Sequence, residues 1–306
     1  MIRFDRVSIE RAGVIVVRGV ELSIEGGQSL AVIGRSGSGR SSLLAALATA
    51  IPIHGGDLVV GGHSVRTAGA AVRRLIGYVP ARLASWPAVR ADEFLELFAV
   101  SAGLRGKPLR AAIDTALEMA GLAGAGHTPI DRLSDGHARR LLMARALLHA
   151  PQVLILDDPF AGLDPVERTE TERLVGDATL MGRTVVATID DCCVPACFSR
   201  IAVLVEGRLA AHGPAHPEHF ESRGSPWRHR ITCPGSAEAA AAVLAPLAVD
   251  VRAVDAHAVD CDVDPERRPF SELVAAVVRA GIAVDAAGHH PHWAAQLVER
   301  LASGGG

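Results

Sequence analysis

A chain of 306 residues has room for one large domain and a small one, and with 49% hydrophobic residues it can bury a substantial core. Its net charge of −3, with no long basic run, gives no ground for a nucleic-acid partner. The opening MIRFDRVSIE carries charges where a secretion signal needs an apolar stretch, and runs such as QVLIL and IAVLV fall far short of the about 20 residues that span a bilayer. A soluble chain is expected.

Two β-rich runs come first, RFDRVSIE (3–10) and GVIVVRGVELSIE (13–25). QSLAVIG (28–34) has the unbroken apolar character of a buried strand, and after a glycine-rich loop SSLLAALATA (41–50) reads as an apolar helix. Between 88 and 125, ADEFLELFAVSAGL and LRAAIDTALEMAGL repeat apolar residues at a helical spacing of about 3.6. A further helix, HARRLLMARALLHA, follows RLSDG and runs to Pro151. QVLILDD, TVVATID and RIAVLVEG read as fully buried strands, with a helix around PVERTETERLVGDATLM between the first two. This alternation predicts an α/β fold: a parallel sheet flanked by helices, an N-terminal antiparallel β subdomain, and a helical insertion over about 82–150.

The pattern breaks at HFESRGSPWRH (219–229). Beyond it, RITCP, SAEAAAAVLAPL, VDVRAVD, AVDCDVD, FSELVAAVVRAG and IAVDAAG give the order β-α-β-β-α-β, a small ferredoxin-like α+β domain, closed by an extra helix at HWAAQLVERL. The expected division is 1–220, a linker at 221–229, and a C-terminal domain at 230–303.

The stretch GRSGSGRSS (34–42) carries the chemistry. Gly34, Gly37 and Gly39 lie between a strand and a helix, where main-chain N–H groups converge and the positive end of the helix faces an anion. Arg35, Ser36, Ser38, Arg40 and Ser42 complete a phosphate-binding loop, and the Ser41 hydroxyl is placed for Mg2+. Glycine-rich turns without ligands are common, but here VLILDD also ends a buried strand on Asp157, a carboxylate suited to holding the metal.

In order and spacing, this loop, LIGYVP, LSDGH with ARRLLMARALLHAP, VLILDD and FAGLDP resemble the nucleotide-binding domain of ATP-binding cassette (ABC) transporters, over residues 1 to about 220. The resemblance implies a P-loop NTPase (RecA-like) core that binds ATP and Mg2+. Residues 34–42 then form the Walker A loop, Asp157 is the Walker B aspartate, and Asp158 stands at the general-base position facing the attacking water. Leu133, Ser134, Asp135, Gly136 and His137 form the signature motif, which in this family caps the γ-phosphate bound to the opposite subunit. Asp164 resembles the D-loop aspartate. Also implied are a second nucleotide-binding domain, from an identical chain or from an ABC ATPase with intact motifs, and a separate transmembrane permease. The chain would then lie in the cytoplasm, peripheral on the inner face of the cell membrane. The α+β tail resembles the extension on drug-resistance-type ABC exporters.

Departures from the family pattern fall on the reacting groups. Arg40 replaces a lysine, keeping the charge but with a longer planar fork. Asp158 replaces glutamate, retracting the carboxylate by about 1.5 Å, and a misplacement near that size can cost about 100-fold in rate. Ile189 takes the place of the switch histidine, Ala81 that of the glutamine which touches metal and water, and Ala12 that of an adenine-stacking aromatic. Asp135 and His137 replace glycine and glutamine; after a Ser134 N-cap, Asp135 suits the helix dipole but repels a phosphate docking there. The expectation is an ATP-binding subunit of an exporter that binds Mg-ATP and hydrolyses it slowly or hardly at all. The alternative is a non-catalytic regulatory or structural subunit that pairs with an intact ABC ATPase.

Cys192, Cys193 and Cys197 in DDCCVPACF lack CxxC spacing and are expected to be reduced, partly buried thiols. His289, His290 and His292 in GHHPHW are expected to be exposed loop histidines, since no carboxylate or thiol stands at ligand spacing.

Overall fold

The computed structural model describes residues 1–81, 88–189, 194–216, 227–264 and 269–303. Two compact units are built on Met1–Ala215 and on His216–Glu299. In the first, β1 (Ile2–Arg11) and β2 (Val14–Ile24) form an antiparallel hairpin. Its turn is Ala12–Gly13, with φ of 50° and 80°, the paired left-handed conformation that matches the twist of the strands. β3 (Ser29–Gly34) is buried almost throughout and leads to α1 (Arg40–Leu47). β4 (Gly55–Val60) and β5 (His63–Ser64) complete a four-stranded sheet of order β2-β1-β4-β5.

The chain continues through α2 (Gly69–Leu75) and β6 (Ile76–Val79), then through the helices α3 (Ala91–Ser101), α4 (Gly106–Met119) and α5 (Asp135–Leu147). It returns as β7 (Val153–Leu156), α6 (Pro165–Leu180), β8 (Thr184–Ile189), β9 (Arg200–Val205) and β10 (Arg208–Pro214). These strands form a second sheet of order β10-β9-β3-β8-β7-β6, parallel except where β10 meets β9. Every residue of β7 and β8 is buried, as strands of a parallel sheet covered on both faces must be.

α1 joins the two sheets. Its Leu43, Leu44 and Leu47 share one core with Ile2, Phe4 and Ile9 of the first sheet and with Leu30, Val32 and Ile155 of the second. Each side chain of that size contributes about 1.5–3 kcal/mol when buried. The amino end of α1 is therefore held by the core, and so is anything its first turn binds.

The second unit comprises β11 (Trp227–Thr232), α7 (Ala237–Leu244), β12 (Asp250–Ala253), β13 (Ala258–Val263), α8 (Phe270–Arg279), β14 (Ala286–His289) and α9 (Trp293–Ala302). The sheet is antiparallel with order β12-β13-β11-β14, so the β-α-β-β-α-β chain folds in the ferredoxin-like way. Ile231, Cys233, Val259, Cys261 and Val263 pack with Ala240, Leu244, Leu273 and Val277 of the helices. Between β11 and β13, Arg228 pairs with Asp262 (2.8 and 3.1 Å) and Arg230 with Asp260 (2.7 and 3.0 Å), both bidentate. β11 begins at Trp227 rather than at Arg230, because Trp227 and His229 are buried and extend the strand's alternation.

The histidines of GHHPHW depart from the expected exposed loop. His289 closes β14 directly across from His229 of β11, their ring centres 4.4 Å apart, and His290 Nε2 lies 3.3 Å from Asp260 Oδ2. His292 is exposed. The antiparallel register makes these neighbours, which linear spacing conceals. Among the described residues no group of three or more His, Cys, Asp or Glu is arranged to hold a metal ion. Cys197 is half-buried, and burial, with Glu172 nearby, pushes its thiol up to about 12; Cys192 and Cys193 lie outside the described residues.

His229 makes the second unit acid-sensitive. Its ring stacks on Phe270 at 4.2 Å, and burial lowers its pKa to about 4. A neutral imidazole in the fold and an ordinary one near 6.5 in the unfolded chain mean that stability is fully present above about 6.5 and is lost as pH falls towards 4. Trp227 and Trp293 belong to this unit, so tryptophan fluorescence is expected to report a loss of structure between those values. His229→Phe keeps the ring stack and removes the titration, so the midpoint should move to lower pH. An unmoved midpoint would assign the acid transition to other groups.

Candidate functional site

β3 ends at Gly34 in the interior of the second sheet, and residues 35–39 turn the chain into α1. Gly39 stands at the N-cap with φ 97°, and a Cβ there would strike the Val16 carbonyl of β2. Both the conformation and the close approach demand glycine. The loop is closed by Ser38 N–H donating to Arg35 O at 3.0 Å, and is tied down by Gly207 N–H donating to Ser38 O at 3.1 Å. Arg35, Ser36 and Gly37 are exposed. Ser38 is buried, and its hydroxyl has no hydrogen-bond partner among the described residues. A buried polar group left unmade costs about 1–3 kcal/mol, which a ligand oxygen in the loop would relieve.

At the ends of β7 and β8 a short polar chain runs through four residues. The Ser41 hydroxyl donates to Asp157 Oδ1 at 2.9 Å, and the buried Thr188 hydroxyl donates to the same oxygen at 2.7 Å. Thr188 Oγ1 also accepts the Asp158 N–H at 2.7 Å. Asp157 is only 5% exposed. The Ser41 hydroxyl and the Asp157 carboxylate are hard oxygen donors side by side at the amino end of a helix, the kind of set that holds Mg2+ together with phosphate oxygens. With the glycine loop and the unsatisfied Ser38 hydroxyl, these residues fit Mg-ATP.

Asp158 has φ 52°, a left-handed conformation that aspartate tolerates better than most side chains. Its carbonyl accepts a hydrogen bond from Arg139 Nη1 of α5, so its main chain is held through both N–H and C=O. Arg40, the first residue of α1, is 8% exposed and its Nη1 donates to the carbonyl of Ile189, the last residue of β8. The Ile189 side chain is buried. Ser42 is half-buried in the first turn of α1, and Ala81 is half-buried shortly after β6. Ala12 is exposed in the hairpin turn.

The signature residues form the start of α5. Leu133 is half-buried; Ser134 is the N-cap, its Oγ accepting the His137 N–H at 3.1 Å and lying 2.7 Å from His137 Nδ1. Asp135 is exposed in the first turn. Asp164 caps α6, accepting from the N–H groups of Val166 and Glu167 at 2.8 Å each. Glu167 Oε2 accepts the Asp164 N–H at 3.4 Å, closing a capping box. The other oxygen, Oε1, lies 3.2 Å from Ser134 Oγ, so one carboxylate spans the amino ends of two helices. A Cβ at Gly136 would fall on that carboxylate, so a larger residue there would displace the tip of Glu167.

Thr188, Arg139 and Glu167 are contributors that sequence reasoning missed. Thr188 is the polar residue near the end of an apolar strand, TVVATI, and Glu167 completes the D-x-x-E spacing of a capping box; both were available signals. Arg139 carried none.

A concavity of about 720 Å3 lies beside β6 and is lined in part by Arg73, Arg74, Tyr78, Phe98, Arg145 and His149, with no carboxylate among the described residues that line it. Arg145 Nη2 donates to Tyr78 O at 2.7 Å, and its guanidinium stands 5.2 Å from the centre of the Phe98 ring. Burial, reinforced by Asp157, pushes the Tyr78 phenol up to about 12.

The family model described as ABC transporter matches residues 17–161. The linearmycin resistance ATP-binding protein LnrL of Bacillus subtilis (strain 168) is 26% identical over 281 residues, which is 90% of this chain and 86% of that protein. The aliphatic sulfonates import ATP-binding protein SsuB of Pseudomonas fluorescens (strain Pf0-1) is 34% identical over 218 residues, 71% of this chain and 76% of that protein. Among solved structures, the dimeric ATP-binding cassette MJ0796, in a post-hydrolysis state bound to ADP and Pi, aligns with a TM-score of 0.65 at 24% identity. That alignment covers 71% of this chain and 99% of the other, and it establishes the fold.

Proposed function

The chain belongs to the ATP-binding proteins of ABC transporters, and from that premise we propose that it serves an exporter and hydrolyses ATP slowly or hardly at all. The observation that carries slow turnover is the fixed main chain of Asp158. With N–H and C=O both engaged, the short carboxylate cannot advance towards an attacking water by a shift of the backbone. Ser41 and Asp157 hold the metal, the loop N–H groups and Ser38 receive the phosphates, and Mg2+ supplies neutralisation of their charge. No polar side chain extends from Ile189 or Ala81 to orient the water.

Export is supported by the resemblance of the α+β tail to the extension on drug-resistance-type exporters and by the likeness to a resistance protein, LnrL, which at 281 of 306 residues reaches into the second unit, whereas the match to the import protein spans 218. A permease subunit is the expected membrane partner, as the family to which the chain belongs implies; among the described residues no helix is long and apolar enough to cross a bilayer. The cationic concavity beside β6 is the surface we assign to it. The alternative, a subunit completed by an intact ABC ATPase, is favoured by Asp135 and Glu167, which place two carboxylates at the end of α5 that would face a phosphate.

Calorimetry with Mg-ATP is expected to show saturable binding to the purified chain. Steady-state phosphate release should stay well below about 1 s−1, the low end of ordinary enzyme turnover. Absence of heat would refute the nucleotide site; turnover at or above about 10 s−1, an ordinary enzyme rate, would refute the impairment while leaving the site intact.

A further inference from the structure

The phosphate loop has a metal side and a strand side. It leaves β3, which lies between β8 and β9 in the sheet. Towards β8 and β7 stand Ser41 and Asp157, joined at 2.9 Å. Towards β9, a Cβ at Gly39 would strike the Val16 carbonyl of β2, and so would a Cβ at Gly207, whose N–H holds the Ser38 carbonyl. A nucleoside carried by the phosphates therefore has β2 and its hairpin turn as the protein surface on the side away from the metal. The turn at Ala12–Gly13 stands three residues back from Val16, about 10 Å along a strand. Arg11, Ala12, Gly13 and Val14 are all exposed there. The hairpin strands hold one aromatic residue, Phe4, which is 3% exposed in the core.

We infer that the site recognises a magnesium-bound triphosphate chain and not the nucleoside attached to it, with Ala12 the residue that sets this breadth. Its ligand class is then any nucleoside triphosphate, and inorganic tripolyphosphate as well. The inference deepens the nucleotide-site reading and rests on it. The loop N–H groups and the Ser38 hydroxyl address phosphate oxygens, and Ser41 with Asp157 addresses them through Mg2+. Those oxygens are the same whatever base follows. Recognition of a base takes an aromatic face to stack on or polar groups that read its edge. Ala12 offers a methyl group in place of a face. At an exposed turn, a hydrogen bond to a base edge competes with water and is worth no more than about tenfold in affinity.

The test is calorimetry on the full chain with magnesium and, in turn, ATP, GTP, CTP and inorganic tripolyphosphate. All four affinities are expected to fall within about tenfold of one another, the limit set by one hydrogen bond made in water. A preference above tenfold for any one base, or for ATP over tripolyphosphate, would overturn the inference. Ser41→Ala removes a metal ligand and should weaken ATP and tripolyphosphate alike; an effect on ATP alone would place tripolyphosphate elsewhere and also overturn it. Ala12→Tyr supplies the missing face and should tighten ATP by about 10-fold, within the range of base stacking on an aromatic ring, while tripolyphosphate stays where it was. Equal tightening of both, or of neither, would remove Ala12 from its assigned role. Should Ala12→Tyr fail to fold by circular dichroism, the four ligands on the parent chain decide alone. A parent that binds none of the four would instead overturn the nucleotide site, a result separate from a parent that binds ATP and rejects tripolyphosphate.

Discussion

The triple change Arg40→Lys, Asp158→Glu and Ile189→His is expected to raise ATP turnover by about 100-fold, the scale associated with re-seating a reacting group by about 1 Å, while leaving the affinity for Mg-ATP near that of the parent. The three changes act on one small region. Asp158 is anchored at its N–H by Thr188 and at its carbonyl by Arg139, so an added methylene is the available way to carry the carboxylate forward. Histidine at 189 supplies a polar side chain at the end of β8, and lysine at 40 presents its charge at a point rather than over a planar fork. Glutamate at φ 52° is less comfortable than aspartate, and Asp158→Glu should lower stability by about 1 kcal/mol. Effects of groups that act together do not multiply, so the triple variant is compared with the parent directly, by phosphate release at saturating Mg-ATP. An unchanged rate would place the slow step elsewhere than in this cluster.

Thr188→Val is expected to destabilise the ends of β7 and β8 by about 3 kcal/mol and to weaken Mg-dependent nucleotide binding. Valine matches the shape of threonine but removes a hydroxyl that donates to Asp157 and accepts from the Asp158 N–H. The change leaves a main-chain N–H without its partner and strips a donor from a carboxylate that is only 5% exposed. Each loss alone is worth about 1–3 kcal/mol. Hydrogen exchange of β7 and β8 peptides is the direct readout, with protection falling by about 100-fold, as about 3 kcal/mol requires. A fall of less than about fivefold would mean that the hydroxyl contributes only the net value of an ordinary hydrogen bond.

The fold was legible where burial leaves a periodic mark. QVLIL, TVVATI and RIAVLV are apolar without interruption because parallel strands are covered on both faces, and the helices of the insertion keep one apolar stripe each. β4 and β10 escaped notice because GGDLVV opens on two glycines and RLAAHGP is largely exposed at a sheet edge. β5 is too short for any pattern, and α2 and β6 run together without a turn signal between them.

The site divides in the same way. The glycine loop, Ser41 and Asp157 announce themselves by local spacing, since strand, loop and helix are contiguous. The bond from Arg40 to Ile189, the contact of Ser134 with Glu167 and the donation from Arg139 to Asp158 join residues far apart in the chain. Nothing in a linear pattern fixes such pairs; sheet order and helix packing do. The histidines at 289 and 290 failed as an exposed loop for the same reason, because β-register sets their neighbours.

The carboxylate of Glu167 is bonded at once to the cap of α5 and to the cap of α6. Two rods pinned at a shared joint cannot pivot independently. A tilt imposed on either one near this hinge pin drags the tip of the other along, or else snaps the pin. Glu167→Ala would remove this joint and leave the bond from Arg140 of α5 to Glu170 of α6 to carry the coupling.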